Sequence, residues 1–254
     1  MRGATPQRAF DAVSKAALAQ IEANAHGVLV SDDPEFLHQL RVGQRRLRAA
    51  LRAFRRIVAK DRTKQLRRCL RSLSPKLGAA RDWDVLVERL AAARKTALAA
   101  KAKGERDSAR EIARRAIRSR TFARLVREAR AIAPSDTSES LSQFGAAALE
   151  RAHRKVRELG RIDWNDAAER HALRISVKRL RYGCEFFAPA FPGRKTMAYV
   201  DALKELQEIL GRLNDIAVGR RLLGFHSDEA ALLRKLKTAW ARFLKRPAFW
   251  PAQG

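Results

Sequence analysis

Residues 31–48 run Ser31-Asp32-Asp33-Pro34-Glu35-Phe36-Leu37-His38-Gln39-Leu40-Arg41-Val42-Gly43-Gln44-Arg45-Arg46-Leu47-Arg48. They read as the start of a helix with two different faces. Asp33 is a residue type that caps helix N-termini, and Pro34 suits the first helical position. Behind them Leu37, Leu40, Leu47, Leu51, Phe54 and Val58 recur at helical spacing and form an apolar face. His38, Arg41, Arg45, Arg48, Arg52 and Arg55 fall at steps of 3, 4, 3, 4 and 3, one straight basic stripe. The stripe lies about 100° around the helix from the leucines, so one face packs while the next presents guanidinium groups.

The same period continues outward. Leu66, Leu70, Leu73 and Leu77 make another apolar face, and strand-type alternation is absent. Helices are predicted over 6–27, 34–58, 62–80, 82–102, 105–131, 138–160, 165–189, 194–212, 214–224 and 227–246, which makes the protein all-α. The stretch Ala133-Pro134-Ser135-Asp136-Thr137-Ser138 is polar and carries a proline, so it reads as a linker.

The chain also repeats itself at an offset of 133. His38-Gln39-Leu40-Arg41-Val42 matches His171-Ala172-Leu173-Arg174-Ile175. Without a gap, Arg45, Arg46, Leu47, Arg48 and Phe54 then align with Lys178, Arg179, Leu180, Arg181 and Phe187. Further on, Leu77-Gly78 aligns with Leu210-Gly211, Asp82 with Asp215 and Val85 with Val218. Shared helical period aligns leucines by chance, but it does not align His, Gly and Asp at one fixed offset. Two similar helical halves are expected, about 6–131 and 139–250 with a linker at about 132–138, related by a pseudo-two-fold axis. With only two long units they read as a pair of bundles rather than a solenoid.

Composition narrows the function. The 254 residues are 46% apolar, enough for a real core, and no stretch approaches the length of a membrane span. The N-terminus has no apolar signal core. Two cysteines, Cys69 and Cys184, suggest neither a disulfide framework nor a metal motif. These features point to a soluble cytoplasmic protein. Lys+Arg number 54 against 27 Asp+Glu, a formal net charge of +27. Self-repulsion of that size is relieved by a polyanion. A GC-rich genome that favours Arg would also raise the charge, but evenly. Here residues 1–133 carry 32 basic and 13 acidic residues, against 22 and 14 in the remainder. Residues 41–71 alone hold 13 basic residues and one acid, Asp61. The charge is a patch.

The second half repeats the stripe with His171, Arg174, Lys178 and Arg181, cut short by Glu185. Lys64, Arg67 and Arg71 add a parallel series in the next helix of the first half, and Lys204 aligns with Arg71. The basic run 106–130 is interspersed with Glu105, Asp107, Glu111 and Glu128 and reads as a solvated face. Arginine donates two hydrogen bonds at once to phosphate oxygens. Nucleic acid, inorganic polyphosphate, inositol phosphates and anionic membranes are therefore candidate partners. Single-stranded nucleic acid usually requires aromatic stacking platforms, and Phe54, Phe186, Phe187 and Trp240 fall on apolar faces or near helix ends instead. Duplex binding through the backbone needs no aromatics and stays open.

His38 and His171 each head a stripe. They read as phosphate donors, as metal ligands, or as structural residues paired with a carboxylate such as Asp82 or Asp215. No metal-ligand spacing accompanies them. His26, His153 and His226 have no counterpart at the offset and read as ordinary surface or core residues. Asp82 and Asp215 suit a cap or an ion pair. Asp82 with Asp84 has the look of a Mg²⁺ pair, but Ala217 stands where a second copy needs Asp84's equivalent. Cys184 reads as core and Cys69 as packed or partly exposed. No nucleophile–base set, Gly-rich phosphate loop or paired acidic site is present, so no enzyme, metal or cofactor is expected.

The two motifs in duplicate resemble the CHAD family, the conserved histidine α-helical domain. The matching stretches are 33–42 with 45–48, 77–85, 171–182 and 210–215, and the likeness runs from about residue 6 to about 250, so residues 1–254 are expected to form one such domain. The resemblance implies two four-helix bundles about a pseudo-two-fold axis with a basic central surface or pore. It also implies binding of inorganic polyphosphate, often at polyphosphate granules. Members are frequently joined to a triphosphate tunnel enzyme, which is not seen in these residues, so a stand-alone binding module is expected. The expected polyphosphate-binding residues are His38, Arg41, Arg45, Arg46, Arg48, Arg52, Lys64, Arg67 and Arg71, with His171, Arg174, Lys178, Arg179, Arg181 and Lys204, on one continuous surface. The rival reading is a general polyanion- or nucleic-acid-binding protein.

Overall fold

A computed structural model describes residues 5–224 and 228–251. The expectation for His226 lies outside the described residues. All the regular structure described is helical: α1 Pro6–Val30, α2 Pro34–Ala53, α3 Lys60–Ala92, α4 Thr96–Arg118, α5 Arg120–Arg130, α6 Leu141–Leu159, α7 Ala167–Phe187, α8 Arg194–Leu223 and α9 Ala230–Leu244, with a short 3-10 turn at Ala188–Ala190. No helix among the described residues is long and apolar enough to cross a membrane.

The chain divides into two compact units. One is Phe10–Asp136; the other gathers the residues from Thr137 on together with the start of α1 up to Ala9. In the first unit α3 packs against α2, α4 and α5. The expected apolar face is buried: Leu40, Leu47 and Phe54 of the first series and Leu66 and Leu77 of the second are fully enclosed. Gly43 lets α1 approach α2 closely, since a Cβ there would stand 2.8 Å from the Ala17 carbonyl oxygen. In the second unit α7 packs against α6 and α8, and α8 against α9. Tyr199, Phe243 and Trp250 meet the His153 ring edge to face, and Phe249 packs on Tyr199 and Trp250. Cys69 and Cys184 are both buried thiols.

Helix starts follow local chemistry. Asp33 accepts from the Glu35 amide at 2.8 Å with Pro34 at the first turn, and Asp166 accepts from Ala168 and Glu169 at 2.7 and 3.1 Å. Ser140 and Gln143 form a reciprocal capping box. The α2 and α7 starts, at 34 and 167, are separated by the repeat offset of 133.

Helix bounds differ from expectation at several places; among them, the helix predicted over 82–102 is interrupted at 93–95, and the gap predicted between 102 and 105 is closed inside α4. The first predicted helix runs three residues further, to Val30. The one predicted over 34–58 stops at Ala53, because the chain turns there to bury Phe54, Ile57 and Val58. Arg55 therefore lies outside α2. The breaks predicted at 80–82 and 212–214 do not exist; α3 and α8 run straight through Gly78 and Gly211. A glycine inside a helix costs only about 1 kcal/mol against alanine, and burial of Leu73, Leu77, Ala80 and Asp84, which share one side of α3 across Gly78, outweighs it. Conversely, the single helix predicted over 105–131 is two, divided at Ser119. The Ser119 side chain accepts from the Phe122 amide at 3.3 Å and donates to the Ala116 carbonyl at 2.6 Å. One serine among strong helix formers gave little warning of that bend.

The interspersed run in α4 is structural in part. Arg110 is buried and pairs with the buried Asp84 at 2.7 Å, while Arg114 pairs with Asp32 at 2.7 Å. Asp84 is thereby an ion-pair partner, and among the described residues no group of three His, Cys, Asp or Glu could hold a metal.

Candidate functional site

Alpha-helical spacing lays His38, Arg41, Arg45, Arg48 and Arg52 along one side of α2. The continuity of α3 extends its own series: Lys64, Arg67, Arg71, Ser74, Gly78 and Arg81 follow at steps of 3, 4, 3, 4 and 3. The two series face each other in antiparallel register. Arg52 is a charged neighbour of Arg67, Arg71 of Arg48, and Arg81 of His38. Between these rungs Arg41 lies over Gly78. From His38 to Arg52 the seam is about 21 Å long at the helical rise of 1.5 Å per residue.

Arginines clamp the seam through backbone carbonyls. Arg48 Nη2 donates to the Leu70 carbonyl at 2.7 Å, Arg41 Nη1 to the Ser74 carbonyl at 3.3 Å, and Arg67 Nη2 to the Leu51 carbonyl at 2.9 Å. Arg67 Nε also donates to Thr63 Oγ1 at 3.0 Å. Pro75 removes one i→i−4 donor from α3, and the Ser74 hydroxyl back-bonds to the Leu70 carbonyl at 2.6 Å. Arg48 and Arg41 donate to the Leu70 and Ser74 carbonyls of this same turn.

Most cations of the seam lack an acidic partner. Among the described residues, Arg45, Arg48, Arg52, Lys64, Arg67, Arg71 and Arg81 make no ion pair with a carboxylate. Burial, and then Arg71, pushes Arg48 below the ordinary arginine value; burial, Arg52 and Arg71 do the same to Arg67. Both stay protonated, because arginine does not lose its proton in proteins. The shifts register cations held beside cations. Burial and the cations Arg81, Arg45 and Arg41 hold His38 below its usual value, against a smaller opposing pull from Glu35. His38 Nδ1 and Arg45 Nε are buried without a hydrogen-bond partner.

The second unit places His171, Arg174, Lys178, Arg179 and Arg181 on α7 and Lys204 on α8, at the matching helical positions. Its chemistry differs. Arg181 is paired with Glu185, donates from Nε to Gln207 Oε1 at 2.7 Å, and has its guanidinium 4.6 Å from the Tyr182 ring centre. Lys204 pairs with Asp201 at 3.0 Å. His171 Nδ1 lies 2.8 Å from Asn214 Oδ1, so its partner is an amide rather than Asp215. Arg46 and Arg179 stand one residue beyond Arg45 and Lys178, about 100° around their helices.

Arg81 escaped the sequence reading although its spacing was visible. It continues the Lys64–Arg71 series, but a break was placed at the Leu-Gly step, which cut the stripe one rung early. Its counterpart at the offset is Asn214.

Two units of helices, each with one His-and-Arg helix packed on a Leu-Gly helix, define the class. The chain belongs to the CHAD domain family, whose model matches residues 12–224. Its fold is similar to the crystal structure of the CHAD domain from the plant Ricinus communis, at 32% identity over 96% of this chain and 89% of that one, with a TM-score of 0.74. It is also similar in fold to PptA from Streptomyces chartreusis, at 19% identity over 92% and 98% of the two chains, with a TM-score of 0.55. No curated protein matches the chain.

Proposed function

We propose that this protein binds inorganic polyphosphate without turning it over, using the α2–α3 seam as its principal surface, and that it does so at polyphosphate granules in the cytoplasm. The observation that carries the reading is the facing pair of cation rows in which Arg45, Arg48, Arg52, Lys64, Arg67, Arg71 and Arg81 have no carboxylate partner. Such an arrangement is costly unless an anion completes it. Membership of the CHAD family supports the same ligand. The seam positions hold no aromatic side chain on which a base would stack, which favours a chain of phosphates over single-stranded nucleic acid. Affinity then comes from many charge-assisted contacts with counterion release, and it falls with salt and rises with chain length.

The test is calorimetric titration with long-chain polyphosphate, and with duplex and single-stranded DNA, at about physiological salt. Tight polyphosphate binding with much weaker DNA binding is expected. The double charge reversal R45E/R48E is expected to abolish most of the binding while leaving helicity unchanged. A double variant that binds as well as the natural chain would remove the seam from consideration. Equal binding of DNA would make the protein a general polyanion trap. Release of orthophosphate with Mg²⁺ or Mn²⁺ present would make it an enzyme. A fluorescent fusion that stays away from polyphosphate granules would remove the cellular assignment.

A further inference from the structure

The two units carry corresponding cations in opposite states. In the first, Arg48 is tied only to a backbone carbonyl, and its charged neighbour is Arg71. One helical turn on, at i+4, stands Arg52. In the second unit the same turn of α7 reads Arg181 and Glu185, and the two are paired. The α8 position matching Ser74 is Gln207, whose amide oxygen takes the Arg181 Nε–H at 2.7 Å. The position matching Arg68 is Asp201, which takes Lys204 at 3.0 Å. Tyr182 covers the guanidinium from a further side at 4.6 Å. The Arg181 side chain is left only 15% exposed.

We infer that Glu185 is a built-in competitor for phosphate: its carboxylate sits on Arg181 where a phosphate oxygen sits on Arg48. This inference rests on the polyphosphate reading given above and assigns what weakens phosphate binding at the second unit's own cation row. A carboxylate and a phosphate oxygen make the same charge-assisted hydrogen bond to a guanidinium. A phosphate approaching α7 must therefore displace Glu185 and repel its charge, whereas one approaching α2 meets Arg52. The first unit sets the affinity, and the second is engaged only at the expense of its own ion pair.

The experiment titrates the full-length chain with long-chain polyphosphate. E185Q, which keeps the size and removes the charge, is expected to tighten binding by about threefold or more, the scale of one partly exposed charge pair. E185A carries the same expectation should the glutamine keep a neutral hydrogen bond to Arg181. E158Q removes the same formal charge from α6, where Glu158 pairs with the exposed Lys155 at 3.1 Å, and is expected to change affinity less. The gain must vanish in the R181A background, so that R181A/E185Q binds no tighter than R181A. A gain equal to that of E158Q, or one that survives R181A, overturns the role of Glu185 and leaves polyphosphate binding standing. A natural chain that fails to bind polyphosphate at all overturns the underlying reading and this one with it. Circular dichroism of each variant confirms that helicity is unchanged.

Discussion

Arg41 lies across Gly78: a Cβ at Gly78 would stand 2.9 Å from Arg41 Nη1. The missing side chain of α3 is the seat on which an arginine of α2 rests while it donates to the Ser74 carbonyl at 3.3 Å. Gly211, at the same place in the repeat, has nothing within 4 Å of its would-be Cβ.

The two glycines therefore respond differently to one methyl group. G211A gains helix propensity, up to about 1 kcal/mol, and raises Tm by about 2–4 °C with polyphosphate affinity unchanged. G78A gains the same propensity but pushes the Arg41 guanidinium aside, so its stability changes little while its affinity falls. Thermal melts and polyphosphate titrations of both variants check this. Equal affinities would remove Gly78 as a seat.

The Arg110–Asp84 pair holds α3 to α4 from inside the first unit, with the two side chains 8% and 1% exposed. R110A strands the Asp84 carboxyl in the core and is expected to cost about 3–5 kcal/mol in urea denaturation. R114A, whose partner Asp32 is largely exposed, is expected to cost far less. Similar losses for the two variants would deny the buried pair its role.

Acid should weaken the fold through two histidines. Burial holds His153 below its ordinary value of about 6.5, with Arg157 helping and Glu150 opposing. His38 is held down by burial and by Arg81, Arg45 and Arg41, against Glu35. The unfolded chain therefore binds these protons at a higher pH than the folded one. Their contribution to stability is complete above about pH 6.5 and is lost as pH falls through the depressed folded values. Tm is expected to drop between pH 7.5 and 5.5, and the drop to shrink in H153Q and in H38Q. A drop of the same size in both variants would mean that other groups cause it.

Much of this molecule was legible along the chain. Leucine spacing, the Asp33 cap with Pro34, the duplicated His-and-Arg motif and the lopsided charge all report on single helices, where a residue's face follows from its number. That was enough to read an all-α protein, the buried face of α2 and the stripe that begins at His38. Even the weaker second stripe was visible, because Glu185 lies four residues from Arg181 on the same helix.

Pairing across helices was not legible. The sequence placed breaks at Gly78 and Gly211 because glycine is a poor helix former; burial on both sides of each keeps the helix whole. Only that continuity brings Arg81 into line and sets the α3 series opposite the α2 series. Likewise, two arginines at matching positions share one sequence motif, yet Arg48 meets Arg71 while Arg181 meets Gln207. Periodicity assigns a side chain to a face; what stands opposite that face depends on how two helices pack, and opposing charge decides whether a cation is already satisfied or still available to a ligand.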